Sequence, residues 1–270
     1  MRPRVFAVGA YPASGDVCQA LAERGYAVVS ADVQAATAGW KAGAAPRCIV
    51  IGSETDAEQV SQICRHVKLS RRLNGIAVVV LQAGSLAEPA RNAVRVEPDI
   101  YVTEPLRPAA LAEAVDSACQ RVRERKPRGE RFCVELVMSS SLSLLNEVAG
   151  LLQAILSSTP LGRKAASRVK YATLEMALNA IEWGNRWDRR KDVRFRLAIL
   201  GDRFRATIRD EGPGFDPRQV LRARSSHRAG QSQFRGYGIR VCRQFVDELR
   251  YNERGNEVTL IKYFARASGK

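Results

Sequence analysis

Two polar residues stand four positions apart in a helix-like segment of the C-terminal half. They are Glu175 and Asn179, in the sequence Glu175-Met-Ala-Leu-Asn179. Residues i and i+4 of a helix project from the same face, so the carboxylate and the amide oxygen lie side by side. Such a pair can polarise a hydroxyl group and bind Mg²⁺, which prefers oxygen ligands shared with phosphates. Alone, the pair is also typical of an ordinary polar helix face.

Two glycine-containing segments follow along the chain. Asp210-Glu-Gly212-Pro-Gly214-Phe215 comes directly after the alternating, strand-like stretch from Phe204 to Arg209. Its glycines allow backbone to approach a flat ligand, and its aspartate can accept a hydrogen bond from an exocyclic amine. Gly236-Tyr-Gly238-Ile239 opens a predicted helix, whose free N–H groups and positive dipole end favour phosphate. By itself, the first of these segments is also consistent with a simple turn.

The segment between these glycine motifs is rich in arginine and small polar residues. It runs from Pro217 to Arg235, and an arginine here could neutralise charge on a departing phosphoryl group. Arg235 is the best placed because it adjoins the Gly236 motif. For the other arginines of the segment, a solvated loop is the simpler interpretation.

In this order, the three motifs resemble the N, G1 and G2 boxes of the GHKL ATPase superfamily, which includes gyrase and the histidine kinases. The wording EMALNAIEWGN, RDEGPGFDP and VDELRYNERGNEVTLIKYF is most similar to the anti-sigma-factor serine kinases, over about residues 130–266. The joint match is far more specific than any single box. One departure is Trp183, which stands where many relatives have histidine; we interpret it as a core or dimer contact.

The resemblance implies ATP and Mg²⁺ as cofactors and a role for each motif residue. Asn179 would bind the metal, and Glu175 would act as the base towards the incoming hydroxyl. Asp210 would recognise the adenine amino group. The remaining implied contacts are the base pocket at Gly212, Gly214 and Thr259, the phosphates at Gly236 and Gly238, and the catalytic charge of Arg235.

The same resemblance implies an ATP-dependent protein serine/threonine kinase that phosphorylates an anti-sigma-factor antagonist. It would regulate transcription by partner switching and would alternately bind a sigma factor. A non-catalytic regulator whose protein binding is gated by ATP is the alternative. A histidine kinase is disfavoured, because His66 and His227 do not lie in a helical hairpin before the ATP-binding region.

The elements that would position these residues form a separate domain from the first half of the chain. Residues 1–125 alternate apolar runs with amphipathic stretches, which predicts five parallel strands covered by helices. The predicted strands are Val5–Gly9, Tyr26–Ser30, Cys48–Gly52, Ile76–Leu81 and Ile100–Thr103, and the predicted helices are residues 15–24, 55–70, 86–94 and 108–124. A helix near residues 34–41 is only weakly indicated.

This first half resembles the receiver domain of response regulators, in size, strand order and the ending Asp99-Ile-Tyr-Val-Thr-Glu104-Pro105-Leu. A working receiver carries acidic residues after its first strand, an aspartate after its third and a lysine before the proline. Here those positions hold Gly9-Ala10, Gly52-Ser53 and Glu104. We therefore interpret it as a pseudo-receiver used for dimerisation or docking. An unrelated doubly wound domain that binds a small ligand is the alternative.

The predicted fold class is α/β plus α+β. A flavodoxin-like parallel sheet is expected in residues 1–125, a charged linker in 126–130, and a GHKL (Bergerat) α/β sandwich with a mostly antiparallel sheet in 131–270. The second domain is expected to comprise a strand Arg131–Met138, helices at about 142–156 and 162–184, a hairpin around Gly201-Asp202, a helix after Gly238 and a final strand Glu257–Phe264.

Charge and composition narrow the function classes further. The net charge of +15 is concentrated in residues 126–270, where 28 Lys/Arg face 15 Asp/Glu, against 15 and 13 in residues 1–125. Since aromatic residues are not interleaved with arginines, we expect an acidic protein or nucleotide as partner, with no direct nucleic-acid binding. Six dispersed cysteines without a CxxC pair disfavour zinc and disulfides. With neither a membrane span nor a signal peptide in the sequence, a cytoplasmic protein is expected. A homodimer is a possible assembly.

Overall fold

The computed structural model contains two compact units. The first comprises Met1–Ala90 with Arg95–Val134, and the second comprises Arg91–Val94 with Glu135–Lys270. The residues that the structure describes are 2–10, 12–37, 45–83, 93–104, 107–125, 129–217 and 237–264. In these ranges, no helix is both long and apolar enough to cross a membrane.

The first unit is built on strands and helices that alternate along the chain. In order they are β1 (Arg4–Val8), α1 (Gly15–Glu23), β2 (Ala27–Ala31), α2 (Val33–Thr37), β3 (Cys48–Ile51), α3 (Ala57–Leu69), β4 (Ala77–Ala83), β5 (Arg95–Val96), β6 (Ile100–Glu104) and α4 (Pro108–Arg125). The short strand β5 belongs to the sheet of the second unit.

Five of these strands form a parallel sheet in the order β2-β1-β3-β4-β6. Counting only the strands of this sheet, that order is 2-1-3-4-5, the flavodoxin-like arrangement. Helices α1 and α4 lie against each other and cover a buried cluster that includes Val5, Val50 and Val79. The expected parallel fold of the first half is confirmed.

A buried network of charged side chains joins Lys68, Asp99 and Arg125 in this unit. The ammonium group of Lys68, at the end of α3, contacts Asp99 and donates to the carbonyl of Ile76 at 2.8 Å. Arg125 reaches the other oxygen of Asp99 at 2.7 Å. The backbone N–H of Val78 also donates to Asp99, at 2.8 Å. Because the Asp99 side chain is only 1% exposed, its charge depends on these partners.

The second unit carries the remaining elements. They are β7 (Glu130–Ser139, which begins in the first unit), α5 (Leu142–Ser157), α6 (Arg163–Asn179), a π-helical turn (Ala180–Gly184), β8 (Asp192–Leu200), β9 (Arg203–Asp210), α7 (Tyr237–Phe245), β10 (Glu248–Tyr251) and β11 (Glu257–Tyr263). Their sheet has the order β10-β11-β9-β8-β7-β5. Strands β8 to β11 pair antiparallel, and α6 packs between α5 and α7 on one face of the sheet. This is the expected α/β sandwich.

Three differences from the expected elements have local causes. Strand β10 was not predicted, since four residues are too few to show a clear period. The helix expected to 184 ends at Asn179 and continues as a π-helical turn, which no sequence period reveals. Most of the helix expected at 86–94 lies outside the described residues, as do the last four residues of the weak helix at 34–41.

Candidate functional site

A recess opens between the end of α6, the end of β9 and the β10–β11 hairpin. Its volume is about 620 Å³, including the mouth that is open to solvent. Asn179, Asp210 and Gly214 line it. These three residues, which are 35 positions apart at most, come from two of the predicted motifs, and the fold brings them to one place.

Asp210 lies at the end of β9 with only 9% of its surface exposed. One carboxylate oxygen accepts the backbone N–H of Gly212 at 2.8 Å. Burial raises the pKa of Asp210, although the hydrogen bond from Gly212 opposes that shift. The second oxygen has no hydrogen bond among the described residues, which leaves it able to accept one from a ligand.

Two glycines are required by the close approach of backbone to this carboxylate. A side chain on Gly184, in the π-helical turn, would place its Cβ 2.6 and 2.7 Å from the two oxygens of Asp210. A side chain on Gly212 would collide with the carbonyl of Gly184. The turn after Asn179 and the loop after Asp210 are therefore in direct contact, and only glycine fits at either position.

Glu175 stands one helical turn before Asn179 and faces the start of α7. A Cβ on Gly238 would collide with the Glu175 carboxylate, so the second glycine of the Gly236 motif lies directly against this side chain. Partial burial, and secondarily the charge of Glu182, raise the pKa of Glu175. A carboxylate with a raised pKa beside a helix N-terminus suits proton transfer near a bound anion.

Aromatic residues that the sequence analysis did not assign to the site form the walls of the recess. Trp183, Phe215 and Tyr251 all line it. Phe215 and Tyr251 contact each other edge to face, with ring centroids 5.0 Å apart. Trp183 is 41% exposed, so its interpretation as a core residue is wrong. Its position four residues after Asn179, on the same helical face, was the signal that could have revealed this.

Asn256, in the turn directly before β11, supports Asp210, whereas Thr259 within β11 had been expected to do so. The backbone N–H of Asp210 donates to the carbonyl of Asn256 at 3.0 Å, and the amide of Asn256 donates to the carbonyl of Asp210 at 3.2 Å. Asn256 is 4% exposed and lines the recess. Its place directly after Gly255 was the available signal.

The expected role of Thr259 disagrees with the register of the sheet. Thr259 pairs with Thr207, and the two hydroxyl groups are 3.1 Å apart. Because side chains alternate along a strand, Thr207 and Thr259 face away from the side of the sheet that carries Ile208 and Asp210. Thr259 is therefore corrected to a cross-strand contact on the opposite face.

The loop that carries Gly212 and Gly214 is fastened to the β10–β11 hairpin. Phe215 donates its N–H to the carbonyl of Arg254 at 3.0 Å, and the Arg254 guanidinium donates to the carbonyl of Gly212 at 3.3 Å. Gly214 has φ +81°, and a Cβ there would collide with the same Arg254 carbonyl. Its predicted place at the recess is consistent with this geometry.

Asn185 ties the end of the first motif to the second. Its side chain is fully buried and makes three hydrogen bonds. The amide nitrogen donates at 2.9 Å to both the Ser140 hydroxyl and the Asp192 carbonyl, and the amide oxygen accepts the N–H of Glu211 at 2.8 Å. The residue next to Asp210 is thus held by the segment that follows Asn179.

The predicted contributions of Arg235 and Gly236 lie outside the described residues. The same is true of the Pro217–Arg235 segment beyond Pro217 itself. The described part of the site therefore consists of the recess at Asp210 and the Glu175–Gly238 contact.

The carboxyl edge of the first unit's sheet contains a carboxylate that the sequence analysis did not place there. Glu54 contacts the backbone N–H of Ala10, and a Cβ on either Gly9 or Gly52 would collide with its carboxylate. The positions Gly9-Ala10 and Gly52-Ser53, which lack the acidic residues of a working receiver, are thus approached by a carboxylate from residue 54. Within the described residues, no group of three His, Cys, Asp or Glu is arranged to hold a metal.

Comparison with known proteins agrees with the geometry of the second unit. Residues 138–262 match the family described as histidine kinase-like ATPase domain. A curated relative, the serine-protein kinase RsbW of Bacillus subtilis (strain 168), is 29% identical over 100 residues, which are 35% of this chain and 62% of that protein. The chain thus spans less than two thirds of the length of this relative.

Receiver domains are among the solved structures that part of this chain resembles. One is the signal receiver domain of a putative LuxO repressor protein from Vibrio parahaemolyticus, with a TM-score of 0.38 and 14% identity over 47% of this chain and 97% of that one. Another is the receiver domain of a signal transduction histidine kinase from Syntrophus aciditrophicus, with a TM-score of 0.35 and 20% identity over 45% and 92%. At these scores the assignment of the fold depends on the strand order described above.

Proposed function

We propose that this protein binds ATP with Mg²⁺ and phosphorylates a serine or threonine of a protein partner; the match of residues 138–262 to the histidine kinase-like ATPase domain family supports this. The observation that carries the proposal is the buried Asp210 carboxylate, which lines a recess with aromatic walls and has one oxygen bonded to Gly212 and the other without a hydrogen bond among the described residues. The exocyclic amine of an adenine ring can donate a hydrogen bond to this second oxygen.

The residues of the recess have chemistry that fits a nucleotide. Trp183 and Phe215 supply apolar surface for a flat ring, and Asn256 holds Asp210 in position from the turn before β11. Gly212 and Gly214 allow the loop backbone to lie close to the base. Thr259 has no part in this proposal.

Magnesium and phosphate would be held beside the adenine, where Asn179 at the end of α6 lines the recess and Gly238 lies at the start of α7. Asn179 offers an amide oxygen, a ligand type that Mg²⁺ accepts together with phosphate oxygens. Gly236 and Gly238 would present backbone N–H groups at the start of α7, and Arg235 would supply positive charge beside them. The bound ion would neutralise phosphate charge during the transfer.

Glu175 would take the proton of the attacking hydroxyl. The hydroxyl oxygen then forms its bond to the γ-phosphorus while the bond between that phosphorus and the β,γ-bridging oxygen breaks, leaving ADP and a phosphorylated side chain. The raised pKa of Glu175 brings the carboxylate closer to the working range of a general base.

For the partner we propose an anti-sigma-factor antagonist, with a sigma factor as the alternate partner and the cytoplasm as the place of action. The similarity to the serine-protein kinase RsbW supports this choice. The first unit lacks the receiver aspartate and lysine. We propose that it regulates the second unit through protein contact or dimerisation.

The test separates ATP binding from transfer. Purified full-length protein is titrated with fluorescent mant-ATP and Mg²⁺, then incubated with ATP and purified antagonist proteins from the same genome, which are examined for phosphoserine by mass spectrometry. We expect Glu175→Gln to bind nucleotide like the wild type and to lose transfer. A wild-type protein that binds ATP and phosphorylates no antagonist would favour the ATP-gated binding regulator, whereas a wild type that binds no ATP would refute both.

A further inference from the structure

A second depression lies on the surface of the ATPase unit, outside the nucleotide recess. It is a groove between the first half of α6 and the end of α7. Its volume is about 1250 Å³, including space that is open to solvent. Its rim and floor are formed by Arg163, Lys164, Arg168, Tyr171, Val241 and Phe245.

All the charged residues that line the groove are cationic. Arg163, Lys164 and Arg168 are all exposed, and they lie within one and a half turns of α6. No Asp or Glu occurs in α6 before Glu175, and none occurs in α7. The local field is therefore positive, which favours an anionic partner.

The floor is aromatic and partly exposed. Tyr171 is 49% exposed, and its ring meets that of Phe245 edge to face, with centroids 5.7 Å apart. The guanidinium of Arg168 lies 5.5 Å from the centre of the Phe245 ring. Exposed aromatic residues beside arginine are the residue types that dominate binding energy at protein interfaces.

The groove is joined to the transfer site through the two helices that form it. Tyr171 precedes Glu175 by four residues, so it lies about 6 Å along the same face of α6. Near the other wall, the thiol of Cys242 on α7 contacts the carbonyl of Ala172 on α6 at 3.7 Å. A chain held at Tyr171 therefore lies within a few residues' reach of Glu175.

We propose that this groove is the docking surface for an acidic segment of the substrate protein, which places the hydroxyl to be phosphorylated near Glu175. The assignment as substrate surface depends on the kinase function proposed above; the binding of an acidic peptide does not. Carboxylates of the partner would pair with Arg163, Lys164 and Arg168, and an apolar side chain would rest on Tyr171 and Phe245.

A protein segment fits the groove better than a nucleic acid does. Base stacking uses open aromatic faces, whereas the face of Phe245 carries the Arg168 guanidinium and its ring is approached by that of Tyr171. The three cations of the groove lie within one and a half turns of α6, which is a shorter stretch than a phosphate backbone would follow.

The experiment uses a phage-displayed library of random 12-residue peptides, selected on the full-length protein. We expect recovered peptides to be rich in Asp and Glu with at least one aromatic or leucine residue. Synthetic copies are then measured by fluorescence anisotropy. Arg163→Glu with Arg168→Glu should weaken the peptide Kd about tenfold or more, and Tyr171→Ala should also weaken it.

The matched control is Arg131→Glu with Arg194→Glu, which changes the net charge equally at two exposed arginines of β7 and β8. This variant should bind the peptides like the wild type. The proposal fails if no acidic peptides are enriched, if the control weakens binding as much as the groove variant, or if a 20-nucleotide single strand competes for the groove with higher affinity.

ATP binding and transfer, measured on the same variants, separate this proposal from the previous one. The groove variants should bind mant-ATP like the wild type, because none of their residues lines the nucleotide recess. On a phosphorylated antagonist, they should raise KM with little change in kcat. If the wild type transfers no phosphate but still binds acidic peptides in the groove, only the proposed kinase function fails. A normal KM would refute the assignment as substrate surface.

Discussion

At the scale of single residues, the environment of Asp210 favours ligand binding at the expense of stability. Its carboxylate is nearly buried, and burial raises its pKa. A group whose pKa is higher in the folded state stabilises the fold fully below its unfolded pKa and loses that contribution as the pH rises through the folded pKa. Near pH 7, the ionised Asp210 is therefore present at some cost to the native state.

Replacing Asp210 by Asn should separate binding from stability. The Asn side chain can still accept the N–H of Gly212, but where it presents an amide NH₂ to the recess it cannot accept an amine hydrogen. We expect ATP affinity to fall by about 2 kcal/mol or more, about thirtyfold, while the free energy of unfolding without nucleotide at pH 7 stays equal or rises. Mant-ATP titration and urea denaturation measure the two quantities. A large loss of stability would contradict this account.

Glu175 should determine the pH dependence of phosphoryl transfer on its acidic side. The base is active when ionised, and its raised pKa moves the rise in rate to a higher pH than an ordinary exposed glutamate would. The initial rate at saturating ATP, measured from pH 5 to 8, should increase through that pKa. The residual rate of Glu175→Gln should lack this rise; an identical profile in both proteins would exclude Glu175 as the base.

At the scale of elements, the site depends on how α6 ends. The π-helical turn Ala180–Gly184 brings Gly184 against Asp210. Asn185, directly after the turn, hydrogen-bonds to Ser140, Asp192 and Glu211. Arg186 and Trp187 follow with φ values of 55° and 62°, a strained region for residues with side chains. This turn is held by contacts with other strands, since its own sequence does not favour it.

Asn185→Ala should therefore affect both stability and binding. It removes the buried hydrogen bond to the Asp192 carbonyl and the partly buried one from the N–H of Glu211. We expect a loss of about 3 kcal/mol in the free energy of unfolding and weaker ATP binding. Urea denaturation and mant-ATP titration measure these. The control is Gln153→Ala, whose hydrogen bond to Ser157 is exposed and should contribute little.

Prediction from sequence worked well for elements with a clear period and poorly where contacts decide. The start of α6 and the β8–β9 hairpin lie close to where they were expected, because the apolar residues of each follow a clear period. Thr259 was expected beside Asp210, but the sequence does not reveal which residues of the last hairpin face the recess. Trp183 was expected as a core or dimer contact, and its 41% exposure at the wall of the recess excludes the core.

At the scale of the whole molecule, two compact units have separate cores. The first depends on the Lys68–Asp99–Arg125 network as well as on its apolar cluster. Removing one partner of a buried network costs far more than removing an exposed ion pair, because the remaining charges stay buried.

Asp99→Asn should destabilise the first unit by about 3–5 kcal/mol. We expect calorimetry to show a lower Tm for one of two unfolding transitions. The mant-ATP affinity should be unchanged, because Asp99 belongs to the first unit and the candidate site to the second. Glu113→Gln provides the control, because its pair with Arg24 is 3.5 Å long and 66% of the Glu113 side chain is exposed. A parallel loss of ATP affinity in Asp99→Asn would show that the units do not act separately.

The sequence by itself predicted the candidate site residues: Glu175 and Asn179 on one helix face, and Asp210 before two glycines. Those inferences follow from residue type and local spacing, which a chain displays before it folds. The tertiary structure alone decided that Asn256 supports Asp210, that Glu54 reaches Gly9 and Gly52, and that Gly238 meets Glu175. These contacts join segments distant in the chain, so they depend on strand register and helix packing, which local spacing does not encode.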